Sequence, residues 1–136
     1  MSDYAKPLPP DDPANRPFWE GAKRGALMLQ RCLDCGRHRF PAARHCVQCH
    51  GERSEWVATT GAGIVESYCT FHRAYWPAFA RDVPYDVVQV RLDEGVRLFS
   101  NLVGVSRERI RSGMRVRACF DSVTPVVTLL KFAPAE

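Results

Sequence analysis

Cys32, Cys35, Cys46 and Cys49 form two C-x-x-C pairs in the pattern C-x2-C-x10-C-x2-C, and they account for four of the chain's six cysteines. Each pair can turn two thiolates toward one ion through a tight bend. Gly36 and Gly51 stand just after the pairs, where such bends need backbone freedom. Four thiolates complete a tetrahedral shell with no open position, so an ion held there organises the fold and activates no water. A structural Zn2+ is the expected occupant. Thiolate ligation alone also suits iron in an electron-transfer centre, and that alternative stays open at this point. His38, His45 and His50 flank the cysteines. With the shell already filled, they are expected to be exposed or just outside it.

Other reactive chemistry is sparse. Cys69 and Cys119 lie in strand-like stretches without an evident base and read as small core residues. There is no nucleophile elbow, phosphate loop, dinucleotide fingerprint or paired-histidine zinc motif. The chain alone is therefore expected to have no catalytic residues and no turnover. Its 136 residues are 46% hydrophobic and 25% charged, ordinary values for a soluble domain. No apolar run approaches the roughly 18–20 residues that span a bilayer, so no membrane partner is expected. The first 17 residues are polar, hold five of the ten prolines, and lack the basic start and apolar core of a secretory signal. A cytoplasmic setting follows as the expectation, and there paired cysteines hold metal rather than disulfides. The net charge of +4 is spread along the chain rather than gathered in one basic block, so it reads as surface charge.

The elements around the cysteines follow from local signals. Asn15 and Pro17 can open a short helix that Gly25 ends, with Phe18 and Trp19 packing one face. "ALMLQRC" reads as a strand that delivers Cys32 to the metal. Beyond Trp56 the pattern is β. "GAGIVESYCTF" is a strand whose glycines permit strong bending. "YDVVQVRL" and "VRLFSNLVGV" form a hairpin across "DEG", with Gly95 at the position of positive φ. "RERIRSG" makes one or two helical turns, and "MRVRACFDSV" and "VVTLLKFAP" close the set. Five strands with a short helical piece between the third and fourth match the OB-fold order. The expected fold is mainly β. It comprises an N-terminal arm with a short helix (1–30), a rubredoxin-like zinc ribbon (31–55) and a five-stranded OB-fold barrel (56–136).

Several segments taken together resemble a known family. They are the Phe18–Trp19 helix, the cysteine ribbon, "PY" at Pro84–Tyr85, "LDEG" at Leu92–Gly95 and "GMRV" at Gly113–Val116. Over about residues 16–133 the chain resembles the zinc-ribbon plus OB-fold family known as domain of unknown function 35 (DUF35). It departs from the family at "PAARH", where a second proline more often precedes an arginine. The resemblance implies an accessory subunit of acyl-CoA metabolism. Such a subunit docks on thiolase-like enzymes (thiolases, hydroxymethylglutaryl-CoA synthase, steroid side-chain aldolases) or on hydratases, and helps hold or pass the acyl-CoA thioester.

The residues themselves suggest where docking would occur. The segment Thr70–Tyr85 carries Phe71, Tyr75, Trp76 and Phe79 with Arg73 and Arg81. Large aromatics and arginine anchor protein interfaces, and arginine also meets phosphates. Alternatively the aromatics fold back and fill the barrel end. The expectation is one docking surface made of Phe18 and Trp19, the ribbon and this loop. Two other classes compete. An OB barrel can bind single-stranded nucleic acid by stacking bases on outward aromatics. Here only Phe99 on the second and third strands could stack, and strand alternation is expected to bury it. Electron transfer through bound iron is the third class.

Overall fold

The computed structural model describes residues 4–135. Residues 1–3 of the expected arm and Glu136 at the end of the expected barrel lie outside the described residues. Helix α1 spans Arg16–Lys23 and follows a one-turn helix at Pro13–Asn15, which Asp12 caps through its side chain. Pro17 sits in the first turn of α1, where its missing N–H costs nothing. Asn15 does not cap α1 as expected. Its Oδ1 instead accepts the Ala42 N–H at 2.9 Å, tying the helix start to the ribbon.

Three short strands follow: β1 (Met28–Cys32), β2 (His38–Arg39) and β3 (Ser54–Ala58). They form an antiparallel sheet in the order β2-β1-β3, with Met28 opposite Ala58 and Cys32 opposite Ser54. β1 is the expected strand before Cys32, whereas β2 and β3 are additions. β3 runs across positions 55 and 56, where the expected ribbon and barrel meet.

The second sheet holds β4 (Ala62–Phe71), β5 (Tyr85–Leu92), β6 (Arg97–Ser100), β7 (Arg115–Ser122) and β8 (Thr128–Pro134), in the order β6-β5-β4-β7-β8. β4 bends as its glycines predict. A Cβ on Gly63 would stand 2.6 Å from the Arg91 carbonyl oxygen, so only glycine permits that approach. The β5–β6 turn uses Gly95 at φ +93°, the conformation its "DEG" sequence calls for. β6 is shorter than its apolar run because the chain leaves β5 after Ser100 and turns to meet β8. There the Phe132 N–H bonds to the Asn101 carbonyl at 3.0 Å, and the Val103 N–H bonds to the Phe132 carbonyl at 2.8 Å. A parallel bridge pairs Leu102 with Phe132, and the curled sheet closes as an OB-type barrel. The helical turn between the third and fourth barrel strands is Arg107–Arg109, as expected. Among the described residues no helix is long and apolar enough to cross a membrane.

Among the described residues one apolar cluster joins helix, ribbon and barrel. Val65, Val88, Val90, Leu92, Leu98, Val116 and Phe132 line the barrel, and Leu27, Leu29 and Phe18 join them from outside it. Phe18 is only 4% exposed, with its ring centroid 4.9 Å from Trp19 and 4.6 Å from Phe40. This corrects its expected place on a docking surface, because a ring enclosed between helix, ribbon and barrel offers no face to a partner. Cys69 also departs from expectation: it is exposed, and Cys119 is half-buried rather than fully enclosed. The register slips between Val65 and Ser67, and Ser67, Tyr68 and Cys69 beyond that bulge all face solvent.

The long β4–β5 connection is pinned where it enters β5. Asp86 Oδ1 accepts the Thr70 hydroxyl at 2.7 Å and Arg107 Nε at 2.8 Å, while Arg107 Nη2 donates to the Pro84 carbonyl at 3.1 Å. Burial alone would raise the Asp86 carboxyl, but the bonds from Arg107 and Thr70 outweigh it and hold the group below its ordinary range.

Phe18→Ala is expected to cost about 3–5 kcal/mol of stability in chemical denaturation, because it empties a site that the neighbouring rings cannot refill. Loss of partner affinity in a variant of unchanged stability would contradict this placement. For Asp86 the sign follows from the depressed folded pKa. Its contribution is complete above the unfolded value of about 4 and is lost as pH falls through the lower folded value. The stability difference between the native chain and Asp86→Asn is therefore expected to shrink from about pH 4 downward in urea titrations, and a constant difference would contradict the ion pair.

Candidate metal centre and docking face

The two cysteine pairs adopt the same backbone fold. Gly36 N–H bonds to the Cys32 carbonyl at 2.9 Å, and His50 N–H bonds to the Cys46 carbonyl at 2.8 Å. The Cys32 and Cys46 N–H groups donate to the carbonyls of Arg37 and Gly51 at 2.8 and 3.0 Å. The left-handed residue closing each turn is Gly36 (φ +81°) in the first knuckle and His50 (φ +64°) in the second. The expected role of Gly51 in the second turn thus falls to His50. Gly51 serves by close packing instead, since a Cβ there would overlap the Asp34 side chain. Asp34 in turn pairs with Arg53 across the ribbon.

These turns bring all four sulfurs within 4.8 Å of one another. Cys32 Sγ lies 3.6 Å from Cys49 Sγ, and Cys35 Sγ lies 3.6 Å from Cys46 Sγ. A tetrahedral ion with metal–sulfur bonds of about 2.3 Å sets its sulfurs roughly 3.8 Å apart, so the constellation fits such an ion with little adjustment. Backbone N–H groups favour thiolate at two of the four. Those of Cys49 and Gln48 bring the Cys46 thiol down to about 6, and that of Cys35 lowers Cys32. At Cys35 and Cys49 the N–H groups of Arg37 and Gly51 are outweighed by the facing sulfurs and by burial, which hold those thiols up in the absence of an ion. Cys32 and Cys46 are buried while Cys35 and Cys49 are exposed, so one edge of the cluster faces outward. His45 and His50 are exposed and His38 is half-buried.

The β4–β5 connection divides into packed and free aromatics. Phe71 stacks on Tyr85 with centroids 5.2 Å apart, and Phe79 tilts against the same ring at 5.6 Å. Lys6 from the arm stands 5.4 Å over the Phe79 ring and pairs with Asp82 at 2.7 Å. Tyr75 and Trp76 project outward at 66% and 58% exposure, with the Arg73 guanidinium 5.1 Å over the Tyr75 ring. Arg73 and Arg81 are both exposed, whereas Trp19 is half-buried against the core.

The three parts of the expected docking surface do not form one surface: the Phe18–Trp19 helix packs on the ribbon, and the aromatic loop lies apart from both. The ribbon abuts the β5–β6 turn at Glu94–Arg97, whereas the aromatic loop caps the opposite end of β4 and β5. About 25–30 Å of strand separates them. The structure adds two aromatics that the sequence reading missed or misplaced. Phe99 is 73% exposed on the outward side of β6, and Tyr68 is 43% exposed beyond the β4 bulge. Both border a shallow depression with Cys69, and Cys69 also borders the hollow under Tyr75, so the loop and this sheet face are continuous. The alternation Arg97–Leu98–Phe99 could have placed Phe99 outside, since Leu98 is the inward residue.

Comparison with known proteins agrees with this architecture. Residues 19–55 match the family model described as the ChsH2 rubredoxin-like zinc ribbon domain, and residues 56–121 match the ChsH2 C-terminal OB-fold domain. A probable enoyl-CoA hydratase alpha subunit from Thermomonospora curvata is 39% identical over 96% of the chain, which spans only 41% of that relative's length. A DUF35 domain-containing scaffold protein from Methanocaldococcus jannaschii is 32% identical, with 87% of this chain and 89% of the relative covered. Among solved structures, a chain of the Ltp2-ChsH2(DUF35) aldolase superposes with a TM-score of 0.84 at 36% identity, covering 95% of this chain and all of that one. Matched along both its ribbon and its barrel, this chain belongs to the DUF35 family of ChsH2 type.

Proposed function

We propose that this protein is a non-catalytic, zinc-binding scaffold subunit of the cytoplasm. It docks on an enzyme of acyl-CoA metabolism, an aldolase or other thiolase-superfamily enzyme or a hydratase, and helps hold or pass the acyl-CoA thioester. The observation that carries this reading is the continuous exposed aromatic face of Tyr75, Tyr68 and Phe99, with exposed Trp76 next to Tyr75 in the chain. Large aromatics left in solvent on a small chain mark an interface. The relatives supply the class of partner, since one is named a hydratase subunit, one a scaffold and one forms part of an aldolase.

Exposed Phe99 and Tyr68 also favour a second reading, a platform for single-stranded nucleic acid. Charge decides between them. Beside Phe99, the Glu66 carboxylate accepts from Arg97 at 2.6 Å and from Arg91 at 3.1 Å, and the Arg97 hydrogen bond holds its pKa down. Both guanidiniums nearest Phe99 are engaged by that carboxylate, so a phosphate backbone following these aromatics would have to displace it to use them. A protein surface has no such conflict.

The metal is proposed to be one zinc held by Cys32, Cys35, Cys46 and Cys49, with its effect on folding rather than reaction. Elemental analysis is expected to find one zinc per chain. Cys35→Ser is expected to lose most of it and to loosen the ribbon, while stoichiometric iron would overturn the assignment. Capture of the tagged chain from native lysate, followed by mass spectrometry, is expected to recover an aldolase, thiolase-like enzyme or hydratase. The chain alone should show no acyl-transfer, hydrolase or aldolase turnover. Nucleic acid without such an enzyme would favour the second reading. With the recovered enzyme, Trp76→Ala and Phe99→Ala are each expected to weaken binding by about 2 kcal/mol, roughly 30-fold, with zinc content unchanged.

A further inference from the structure

The β4–β5 connection is fixed at its two ends, by the stack of Phe71 on Tyr85 and by the bonds that Asp86 and Pro84 make with Thr70 and Arg107. Its middle is held differently. Phe79 N–H donates to the Trp76 carbonyl at 2.9 Å, Ala80 N–H to Pro77 at 3.1 Å and Asp82 N–H to Phe79 at 2.9 Å. These bonds all stay inside the segment, so the one-turn helix Pro77–Phe79 moves together with Trp76, the residue just before it. Two side chains of this body reach other elements. The Phe79 ring tilts against Tyr85 at 5.6 Å, and the Asp82 carboxylate meets the Lys6 ammonium at 2.7 Å. The same ammonium stands 5.4 Å over the Phe79 ring, so one charge grips the turn at two points.

Lys6 reaches this place from a stiff strap. Pro7, Pro9 and Pro10 follow it, and each fixes its own φ. Pro9, Pro10 and Asp11 surround a hollow of about 360 Å³ together with Trp19 of α1 and with Val126 and Val127 of the β7–β8 turn. Asp11 pairs with Arg16 at 3.2 Å, and Asp12 accepts the Ala14 N–H at 3.0 Å. The strap is thus rooted beside α1, and five residues of extended proline-type backbone carry it roughly 15 Å to the loop. An exposed lysine on a flexible arm would gain almost nothing from one carboxylate, because ordering the arm offsets the attraction. Prolines remove conformers that the released arm would otherwise sample, so less entropy opposes the contact.

We propose that Lys6 is a positioning residue for the docking loop: at the end of the proline strap it holds the Pro77–Phe79 turn and so sets the direction of Trp76. The purpose of this latch rests on the docking function proposed above, but the latch itself is read on the isolated zinc-loaded chain. The measurement is amide hydrogen exchange by NMR at Phe79, Ala80 and Asp82.

Lys6→Gln is expected to speed exchange at these three amides by about five- to tenfold, the combined effect of an exposed ion pair and a cation–π contact. Val88 and Val116 in the barrel strands are expected to keep their native rates. Lys6→Arg retains both contacts and should return the loop to within about twofold of native exchange. With Asp82→Asn already in place, Lys6→Gln should add less than about threefold, because only the ring contact remains to be lost. Against the enzyme recovered by capture, Lys6→Gln is expected to weaken binding by about two- to tenfold, as the fraction of chains with Trp76 poised falls, and Lys6→Arg should restore it. Unchanged exchange in Lys6→Gln, faster exchange spread into the barrel strands, no rescue by arginine, or faster loop exchange with partner affinity intact would each overturn the proposal. Lower affinity with unchanged exchange would do so as well, since Lys6 would then touch the partner itself. Failure to capture any enzyme would remove the docking function, while the exchange rates alone would decide the latch.

Discussion

The closure of the barrel at Phe132 is the constraint on which the rest of the molecule depends. Its backbone joins the tail of β6 through Asn101 and Val103, and its ring lies fully buried in the common core. One residue thus satisfies two groups at what would be an open sheet edge and fills the volume that closure creates. Closure also fixes which segments can be long and free. The β4–β5 connection lies at one end of the closed sheet, and the β5–β6 turn lies at the other, against the ribbon. The separation between the aromatic loop and the ribbon is thus a consequence of strand length and not of the loops themselves.

The ribbon solves a different problem. Its three strands are short, and β2 has only two residues. Such a sheet cannot bury enough apolar surface to hold itself, and the chain compensates in two ways. Leu27 and Leu29 pass under the ribbon into the barrel core, beside Phe18 from α1. The cysteine knuckles then gather four sulfurs where the sheet has no core of its own. Helix, ribbon and barrel are distinct in sequence pattern yet share a single packed interior. For this reason Phe18, which the sequence allows both as the packed face of a short helix and as part of a docking surface, is a structural residue.

Features that rest on local chemistry were legible from the sequence, and features that rest on tertiary geometry were not. The spacing of Cys32, Cys35, Cys46 and Cys49 was sufficient because each turn is made by its own few residues. Gly95 was legible for the same reason, as its positive φ belongs to a two-strand turn. By contrast, the exposure of Cys69 depends on a register slip after Val65, and nothing in "GIVESYCT" signals where a bulge falls. The left-handed turn at His50 went unread because glycine is the usual sign of that conformation, and Gly51 stood next to it. Phe99 was open to a correct reading from alternation with Leu98. Alternation alone does not say which of the two sets faces inward, and the expectation of a buried Phe99 takes the wrong one.

The distribution of charge explains why an aromatic surface of this kind is suited to a protein partner. Glu66 is shared by Arg91 and Arg97, so the face near Phe99 carries two guanidiniums against one carboxylate. At the other end Arg73 covers the face of Tyr75, and Lys6 is consumed by Asp82. The net excess of positive charge is small and held at the margins of the aromatic area. Such a margin contributes little to affinity in salt, where exposed pairs are screened within about 8–10 Å. On the docking function proposed above, it would orient an incoming surface of opposite sign, and desolvation of the aromatics would supply the binding energy. A polyanion would need the reverse arrangement, with a continuous run of unpaired cations and the aromatics spaced between them.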